Sequence, residues 1–182
     1  MNCEEIIPLF LAEEIKNIVR DISRRIIKDA IKEGNNKLNF VTVLEGARRF
    51  SDELIGEIYC QTCAGFNINN YNIKVSSYCG MTSGKLKLER GIEADLSEKE
   101  VIILEDIVDS GKTIQFLADY LLKDKQVSRV KIASLLSKPS RRRVNIQIDY
   151  LGKEIPDVFV VGYGLDKDGI YRNLNYIGRV KS

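Results

Sequence analysis

Short apolar runs alternate with amphipathic helical patterns along most of this 182-residue chain. The runs that predict strands are 40–44, 71–78, 101–104 and 130–136, and 85–90 alternates leucine with charge as one arm of an exposed ribbon would. The helical patterns are 49–59, 111–122 and a long first helix, whose apolar stripe is Ile15, Ile18, Val19, Ile22, Ile26, Ala30 and Ile31. With short connections, this alternation predicts an α/β fold in which helices flank a mostly parallel, twisted sheet.

Unusual residues follow three of the predicted strands, namely Glu45 and Gly46, the segment 105–113, and Lys138. The carboxyl ends of parallel strands are where such sheets bind ligands, so we expect one site at that edge. The length suits one domain, with a core of about 35–140. We expect the ends, about 1–15 and 141–182, to form a small hood over the sheet.

The chain contains no histidine, which excludes Ser-His and Cys-His nucleophilic pairs and every histidine-ligated metal site. With 26 acidic residues, a metal ion would be held by oxygen, which favours Mg²⁺. The formal charge of +2 is not the electrostatic signature of a nucleic-acid binder. We therefore do not expect nucleic acid as a partner. We do not expect a membrane either, because no apolar run approaches the roughly 20 residues of a membrane span.

The four cysteines, Cys3, Cys60, Cys63 and Cys79, are too few to predict a disulfide framework. Cys60 and Cys63 have C-x-x-C spacing, but no second pair or histidine completes a zinc site. We interpret them as ordinary thiols near a helix end. Reduced thiols are consistent with a cytoplasmic protein.

The segment 101–113 reads VIILEDIVDSGKT and carries the chemistry. A P-loop would need glycine where Asp106 stands, so that motif fails. Backbone N–H groups of 109–113 at a helix start, with the hydroxyls of Ser110 and Thr113, suit a phosphate dianion. Beside them, Glu105 and Asp106 suit sugar hydroxyls and Mg²⁺, bound directly or through water. The alternative is a solvated acidic turn with Asp109 as a helix cap.

This string resembles the phosphoribosyl-pyrophosphate signature of type I phosphoribosyltransferases, and most of the chain resembles the hypoxanthine phosphoribosyltransferase family. VLEGA (43–47) resembles the pyrophosphate loop, and Ser77, Tyr78 and 82–84 resemble the start of the mobile catalytic loop. ASLLSKP (133–139) resembles the purine-contact strand end. The base-binding hood is represented by DYLGKEIPD (149–157), FVVGYGLD (159–166) and YRNL (171–174).

The resemblance implies Mg²⁺-dependent transfer of phosphoribose from phosphoribosyl pyrophosphate to a 6-oxopurine, with release of pyrophosphate. It assigns Asp109 as the general base for the purine N7 proton, Lys138 as the donor to O6, Phe159 as the stacking ring and Val160 as a backbone contact. Asp166 would hold a second Mg²⁺ near pyrophosphate with Arg172 beside it, in addition to the Mg²⁺ at Glu105 and Asp106. The residues implied for the donor are Gly46, Ala47, Ser77, Tyr78, Glu105, Asp106, Asp109, Ser110, Gly111, Lys112, Thr113 and Arg172.

Two positions depart from the family pattern. Glu45 stands where lysine is usual, and its charge would repel pyrophosphate unless Arg48, Arg49 or a metal compensates it. Lys153 replaces a common aromatic residue, which affects the hood surface. Alternative hypotheses are an RNA-binding regulator of this fold that uses 141–143, and an enzyme of this fold acting on another base. Family members assemble as dimers or tetramers. The sequence does not rank hypoxanthine, guanine and xanthine.

Overall fold

A computed structural model describes residues 5–63, 65–77 and 86–181. In chain order its elements are β1 (Ile6–Phe10), α1 (Ala12–Lys32), β2 (Lys37–Leu44), α2 (Arg48–Thr62), β3 (Asn67–Ser77), β4 (Leu86–Arg90), β5 (Glu100–Val108), α3 (Lys112–Lys123), β6 (Arg129–Ser137), a 3₁₀ turn (Pro139–Arg141), β7 (Tyr150–Glu154), β8 (Val160–Val161) and β9 (Ile177–Val180). Within these ranges, no helix combines the length and apolarity that a membrane crossing demands.

Six strands form the main sheet in the order β4-β3-β2-β5-β6-β7. Every neighbouring pair is parallel except β3 and β4, which run antiparallel. The predicted α/β fold is therefore confirmed. The antiparallel strand β4 corresponds to the exposed ribbon arm that the leucine alternation predicted. It lies at the edge of the sheet, where its outer side has no neighbouring strand among the described residues.

The two faces of the main sheet are covered by different helices. The apolar stripe of α1 packs with α2, β6 and β7 in one cluster, and α3 packs on the opposite face in the other. The predicted stripe was wrong at one position, because Ile31 is 67% exposed. Ile31 lies about 100° around the helix from the buried Ala30, which turns it off the packed face in the last turn.

β5 is longer than the predicted strand 101–104, because it also includes the two carboxylates that follow. Its ladder with β6 continues through Glu105 opposite Ser134 and Val108 opposite Ser137. The apolar Ile107 and Val108 resume the strand after the carboxylates, so Glu105 and Asp106 are held on a strand and not on a turn. That extension gives the acidic pair a rigid support.

A three-stranded sheet, β1-β9-β8, joins the two ends of the chain. The expected hood segments supply these three strands, but 141–182 also supplies β7 to the main sheet. In α2, Cys60 occupies the last turn and Cys63 follows the helix, and both are exposed free thiols.

Candidate active site

An acidic and a basic residue follow the adjacent strands β5 and β6. Val108 pairs with Ser137 in the parallel register, so Asp109 and Lys138 are the next residues of adjacent strands. The Lys138 N–H donates to the Val108 carbonyl oxygen at 3.0 Å, which continues the ladder for one more bond. Lys138 is only 6% exposed, whereas Asp109 is partly exposed at the edge of a cleft.

The segment 110–113 enters α3 through a glycine that no other residue replaces easily. Gly111 has φ +83°, and a Cβ built there would lie 2.9 Å from Val144 and from Ile146. Ser110 is the residue before it, and its hydroxyl accepts a long 3.4 Å bond from the Lys112 N–H. Thr113 lies in the first helical turn, where backbone N–H groups have no partner from within the helix. The structure thus places the predicted cradle at a helix start.

Glu105 and Asp106 form an uncompensated acidic pair. Asp106 Oδ1 accepts the Ile107 N–H at 2.8 Å, while Glu105 Oε2 is buried without a hydrogen-bond partner among the described residues. Burial raises the pKa of Asp106 to about 6, and burial together with the charge of Asp106 raises the pKa of Glu105 well above its ordinary value. Carboxyls in this state attract a cation or a hydroxyl donor.

Two glycine-bearing segments close around that pair. A Cβ on Gly46 would overlap the Asp106 carboxylate, and a Cβ on Gly164 would overlap the Gly46 carbonyl oxygen. Arg172 donates to the Gly164 carbonyl oxygen at 2.7 Å and pairs with Asp166 Oδ1 at 2.7 Å. The charges of Arg172 and Asp166 both reach Asp106 and act on its pKa in opposite directions. The structure therefore brings together Gly46, Asp106, Asp166 and Arg172.

Glu45 lies at the entrance of the Gly46 loop with its charge compensated. Its Oε2 lies 3.1 Å from Arg48 Nη2, an exposed pair one helical turn apart. The compensation that the sequence required at this position is therefore provided by Arg48. Ala47, which follows Gly46, is fully buried and precedes the first residue of α2.

Two of the predicted base-binding residues, Phe159 and Val160, lie at the start of β8 in the small sheet, whereas Lys138 follows β6 of the main sheet. Phe159 is 53% exposed and lines a cleft of about 580 Å³ with Asp157 and Arg179, whereas Val160 is buried in β8. The Phe159 carbonyl oxygen accepts the Val180 N–H at 2.9 Å, which fixes the backbone beside the ring. Ser77 ends β3, and Tyr78 and 82–84 lie outside the described residues.

A match to a family model identifies the protein family of this chain. The model of the phosphoribosyl transferase domain matches residues 12–168. The chain belongs to the phosphoribosyltransferase family. The match spans the elements from α1 to β8 and includes Asp109, Lys138 and Asp166, while Arg172 and β9 follow it.

Relatives within the phosphoribosyltransferases confirm the narrower resemblance. The chain is 37% identical over 175 residues to a hypoxanthine-guanine phosphoribosyltransferase of Staphylococcus aureus, covering 95% of this chain and 92% of the relative. A solved hypoxanthine-guanine phosphoribosyltransferase of Bacillus anthracis has a TM-score of 0.86 at 34% identity, covering 98% and 99% of the two chains. A Trypanosoma cruzi hypoxanthine phosphoribosyltransferase structure has a TM-score of 0.88 at 30% identity, covering 100% and 93%.

Two side-chain arrangements, one at this phosphoribosyltransferase site and one beside it, were not predicted from the sequence. Arg141 pairs with Asp109, with Nε 2.8 Å from Oδ1. Tyr163 is buried, donates to Glu53 at 2.6 Å and lies under the Arg49 guanidinium, 4.5 Å from the ring centroid. Burial and the Glu53 bond raise the pKa of Tyr163 above its ordinary value. The run of three arginines was the sequence signal for the Arg141 contact, whereas no local sequence pattern indicated the Tyr163 contact.

The donor set fits Mg²⁺ as a site that the substrate completes. No cluster of three or more potential metal ligands occurs among the residues that the structure describes. However, the unpartnered Glu105 oxygen and the raised pKa of Asp106 show negative charge that the chain itself does not compensate. Mg²⁺ in phosphate-transfer sites is commonly held by one or two carboxylates plus substrate phosphates. The oxygen donors here are suited to that role.

Gly46→Ala is expected to lower turnover at least about 10-fold, because the new methyl group must displace the Asp106 carboxylate. Steady-state turnover and the melting temperature measure the effect. Gly56→Ala is the matched control. Gly56 lies within α2 with nothing within 4 Å of the added Cβ, so this change should stabilise the fold by about 0.5–1 kcal/mol and leave turnover unchanged. Wild-type turnover in Gly46→Ala would contradict the close approach.

Proposed function

We propose that this phosphoribosyltransferase transfers the phosphoribosyl group of 5-phosphoribosyl 1-pyrophosphate to hypoxanthine, guanine or both, forming IMP or GMP and pyrophosphate in purine salvage. The observation that carries this proposal is the adjacent placement of Asp109 and Lys138 by the pairing of Val108 with Ser137. A proton acceptor and a hydrogen-bond donor at the ends of neighbouring strands complement N7–H and O6, which are neighbouring groups on a 6-oxopurine.

In the proposed reaction, a bond forms between purine N9 and ribose C1′ as the bond between C1′ and the pyrophosphate oxygen breaks. The leaving electron pair departs with pyrophosphate, and the proton on N7 passes to the Asp109 carboxylate. Phe159 presents an exposed ring for stacking, and the Val160 backbone meets the edge of the base. Ser110, Gly111, Lys112 and Thr113 bind the 5′-phosphate at the start of α3, where the helix dipole favours an anion.

The acidic pair and the Gly46 loop bind the other side of the ribose. Glu105 and Asp106 accept hydrogen bonds from the ribose hydroxyls, while Gly46 and Ala47 offer backbone groups to the diphosphate. Arg172, fixed by Gly164 and Asp166, places a cation where the leaving group gains negative charge. One Mg²⁺ held by Glu105 and Asp106, and a second held by Asp166, would supply further charge neutralisation of the leaving pyrophosphate.

The direct test is incubation with phosphoribosyl pyrophosphate, Mg²⁺ and separately hypoxanthine, guanine, xanthine or adenine, with pyrophosphate release as the readout. We expect release with hypoxanthine or guanine and little with adenine. Matched reactions with chelator are expected to stop. If none of the four bases supports release, the proposed activity is wrong.

Lys138→Ala is expected to lower the preference for hypoxanthine over adenine by about 10-fold or more, because a buried ammonium donor favours O6 and rejects an amino group. The ratio of kcat/KM for the two bases measures it. Lys153→Ala removes an exposed lysine on β7 and should leave that ratio unchanged. An intact preference in Lys138→Ala would exclude the proposed contact with O6.

An RNA-binding regulator is the second candidate, and the state of the arginine run argues against it. Arg141 pairs with Asp109 and Asp157, and Arg142 Nη2 donates to Ser137 Oγ at 2.7 Å. The side chains of two of the three arginines are therefore already paired with acceptors of the chain itself. Tight RNA binding that weakens steeply with salt would favour the regulator.

We further propose that the protein is cytoplasmic and forms a homodimer or homotetramer, as the family resemblance implies. In the Trypanosoma cruzi hypoxanthine phosphoribosyltransferase, the C-terminal region has a role in the oligomeric state and enzymatic activity. In this chain the corresponding end supplies β9 to the small sheet. Light scattering after size exclusion measures the assembly, and a monomer at assay concentration would overturn it.

A further inference from the structure

Arg141 connects two carboxylates from segments that are distant in sequence. Its Nε lies 2.8 Å from Asp109 Oδ1, and its Nη1 lies 3.2 Å from Asp157 Oδ1. Asp109 follows β5 of the main sheet, whereas Asp157 lies two residues before Phe159 and β8. One guanidinium therefore bridges the general base and the segment that carries the stacking ring.

The backbone around Arg141 is anchored independently of its side chain. The Arg141 N–H donates to the Lys138 carbonyl oxygen at 3.1 Å, and the Arg143 N–H donates to the Ser110 carbonyl oxygen at 3.0 Å. The first bond closes the 3₁₀ turn directly after β6, and the second ties the chain two residues beyond the turn to the cradle. A change of the Arg141 side chain should leave this backbone in place.

Stability alone does not account for the bridge. Both ion pairs are about half exposed, and pairs of that kind contribute on the order of 0–1 kcal/mol to folding. Orientation is a different matter, because a displacement of about 1 Å in a reacting group can cost 10²-fold in rate. The guanidinium donates a hydrogen bond to Asp157, and its contact with the buried Asp109 Oδ1 is an ion pair without hydrogen-bond geometry, so it holds Asp109 by charge.

We propose that Arg141 is a positioning residue: it holds Asp109 by Oδ1, leaves Oδ2 to receive the purine N7 proton, and ties that carboxylate through Asp157 to the segment bearing Phe159. This inference rests on the proposed purine transfer. It assigns Arg141 no contact with the substrate. The opposite interpretation is that Arg141 blocks Asp109, in which case its removal would raise turnover.

The experiment measures kcat and both KM values of Arg141→Ala, Arg141→Lys and Asp157→Asn with hypoxanthine. Arg141→Ala is expected to lower kcat about 10-fold with the KM for phosphoribosyl pyrophosphate within about twofold of wild type, because the cradle is made of backbone groups. Arg141→Lys should recover part of the loss, since one contact can re-form. Asp157→Asn should cost about threefold and add little to Arg141→Ala, because both changes break one bridge.

Arg143→Ala is the matched control, because it removes the same charge from the same turn and its bond to Ser110 uses only backbone. Melting temperatures of all variants should remain within about 3 °C of wild type. If Arg143→Ala lowers kcat as much as Arg141→Ala, or if Arg141→Ala is unchanged or faster, the positioning role is overturned while wild-type transfer still supports the proposed function. An inactive wild-type chain would overturn both.

Discussion

Asp109→Asn is expected to lower turnover by about 100-fold or more while leaving the affinity for phosphoribosyl pyrophosphate unchanged. Asparagine has nearly the same shape, but its amide oxygen cannot accept the N7 proton as a carboxylate does. General-base removal typically costs 10²- to 10⁴-fold. Single-turnover rates measure the chemical step, and titration of the donor without purine measures its binding.

The lost ion pair with Arg141 needs a separate control. Arg141→Ala removes the same ion pair without touching the proposed base. Its expected 10-fold loss sets the size of the effect that the broken ion pair alone produces. Turnover in Asp109→Asn no lower than in Arg141→Ala would remove Asp109 from the role of general base.

The parts of this site that could be predicted from sequence are local along the chain. The segment 101–113 forms a strand, a turn and the start of a helix. The spacing of residues within it is enough to predict that the carboxylates precede the phosphate cradle. Glu45 finds its partner three residues away in Arg48, so the compensation could also be expected from the sequence. Parallel register then follows from the alternation of strands and helices, and it brings Lys138 beside Asp109.

The parts that could not be predicted depend on contacts between distant segments. The continuation of β5 through Glu105 depends on its ladder with β6, which no pattern in 101–108 reveals. Arg49 bonds to the Leu174 carbonyl oxygen at 3.0 Å, 125 residues away, and so helps fix the segment that ends in β9. A charge run such as 141–143 shows only that cations are present, and the fold decides that Arg141 pairs with Asp109.

Asp106→Asn is expected to abolish most activity and at the same time to stabilise the protein at pH 7.5. Activity falls because the ribose and Mg²⁺ lose a charged ligand. Stability rises because the folded chain holds Asp106 with a pKa of about 6, whereas an unfolded aspartate has a pKa near 3.9. Ionising this buried carboxyl therefore destabilises the folded state, on the order of 1–3 kcal/mol.

The predicted change in stability depends on pH in a defined direction. Between about pH 4 and pH 6 the folded chain binds more protons than the unfolded chain, so the free energy of unfolding falls as pH rises through that window. The amide introduced by Asp106→Asn does not titrate, so the gain in melting temperature over wild type should be several degrees at pH 7.5 and should vanish towards pH 4. Asp109→Asn, the same change three residues away at an ion-paired carboxylate, should show no such gain. A lower melting temperature in Asp106→Asn at pH 7.5 would show that the carboxylate is already compensated, whereas stabilisation with lost activity would show that its charge is kept for the substrate.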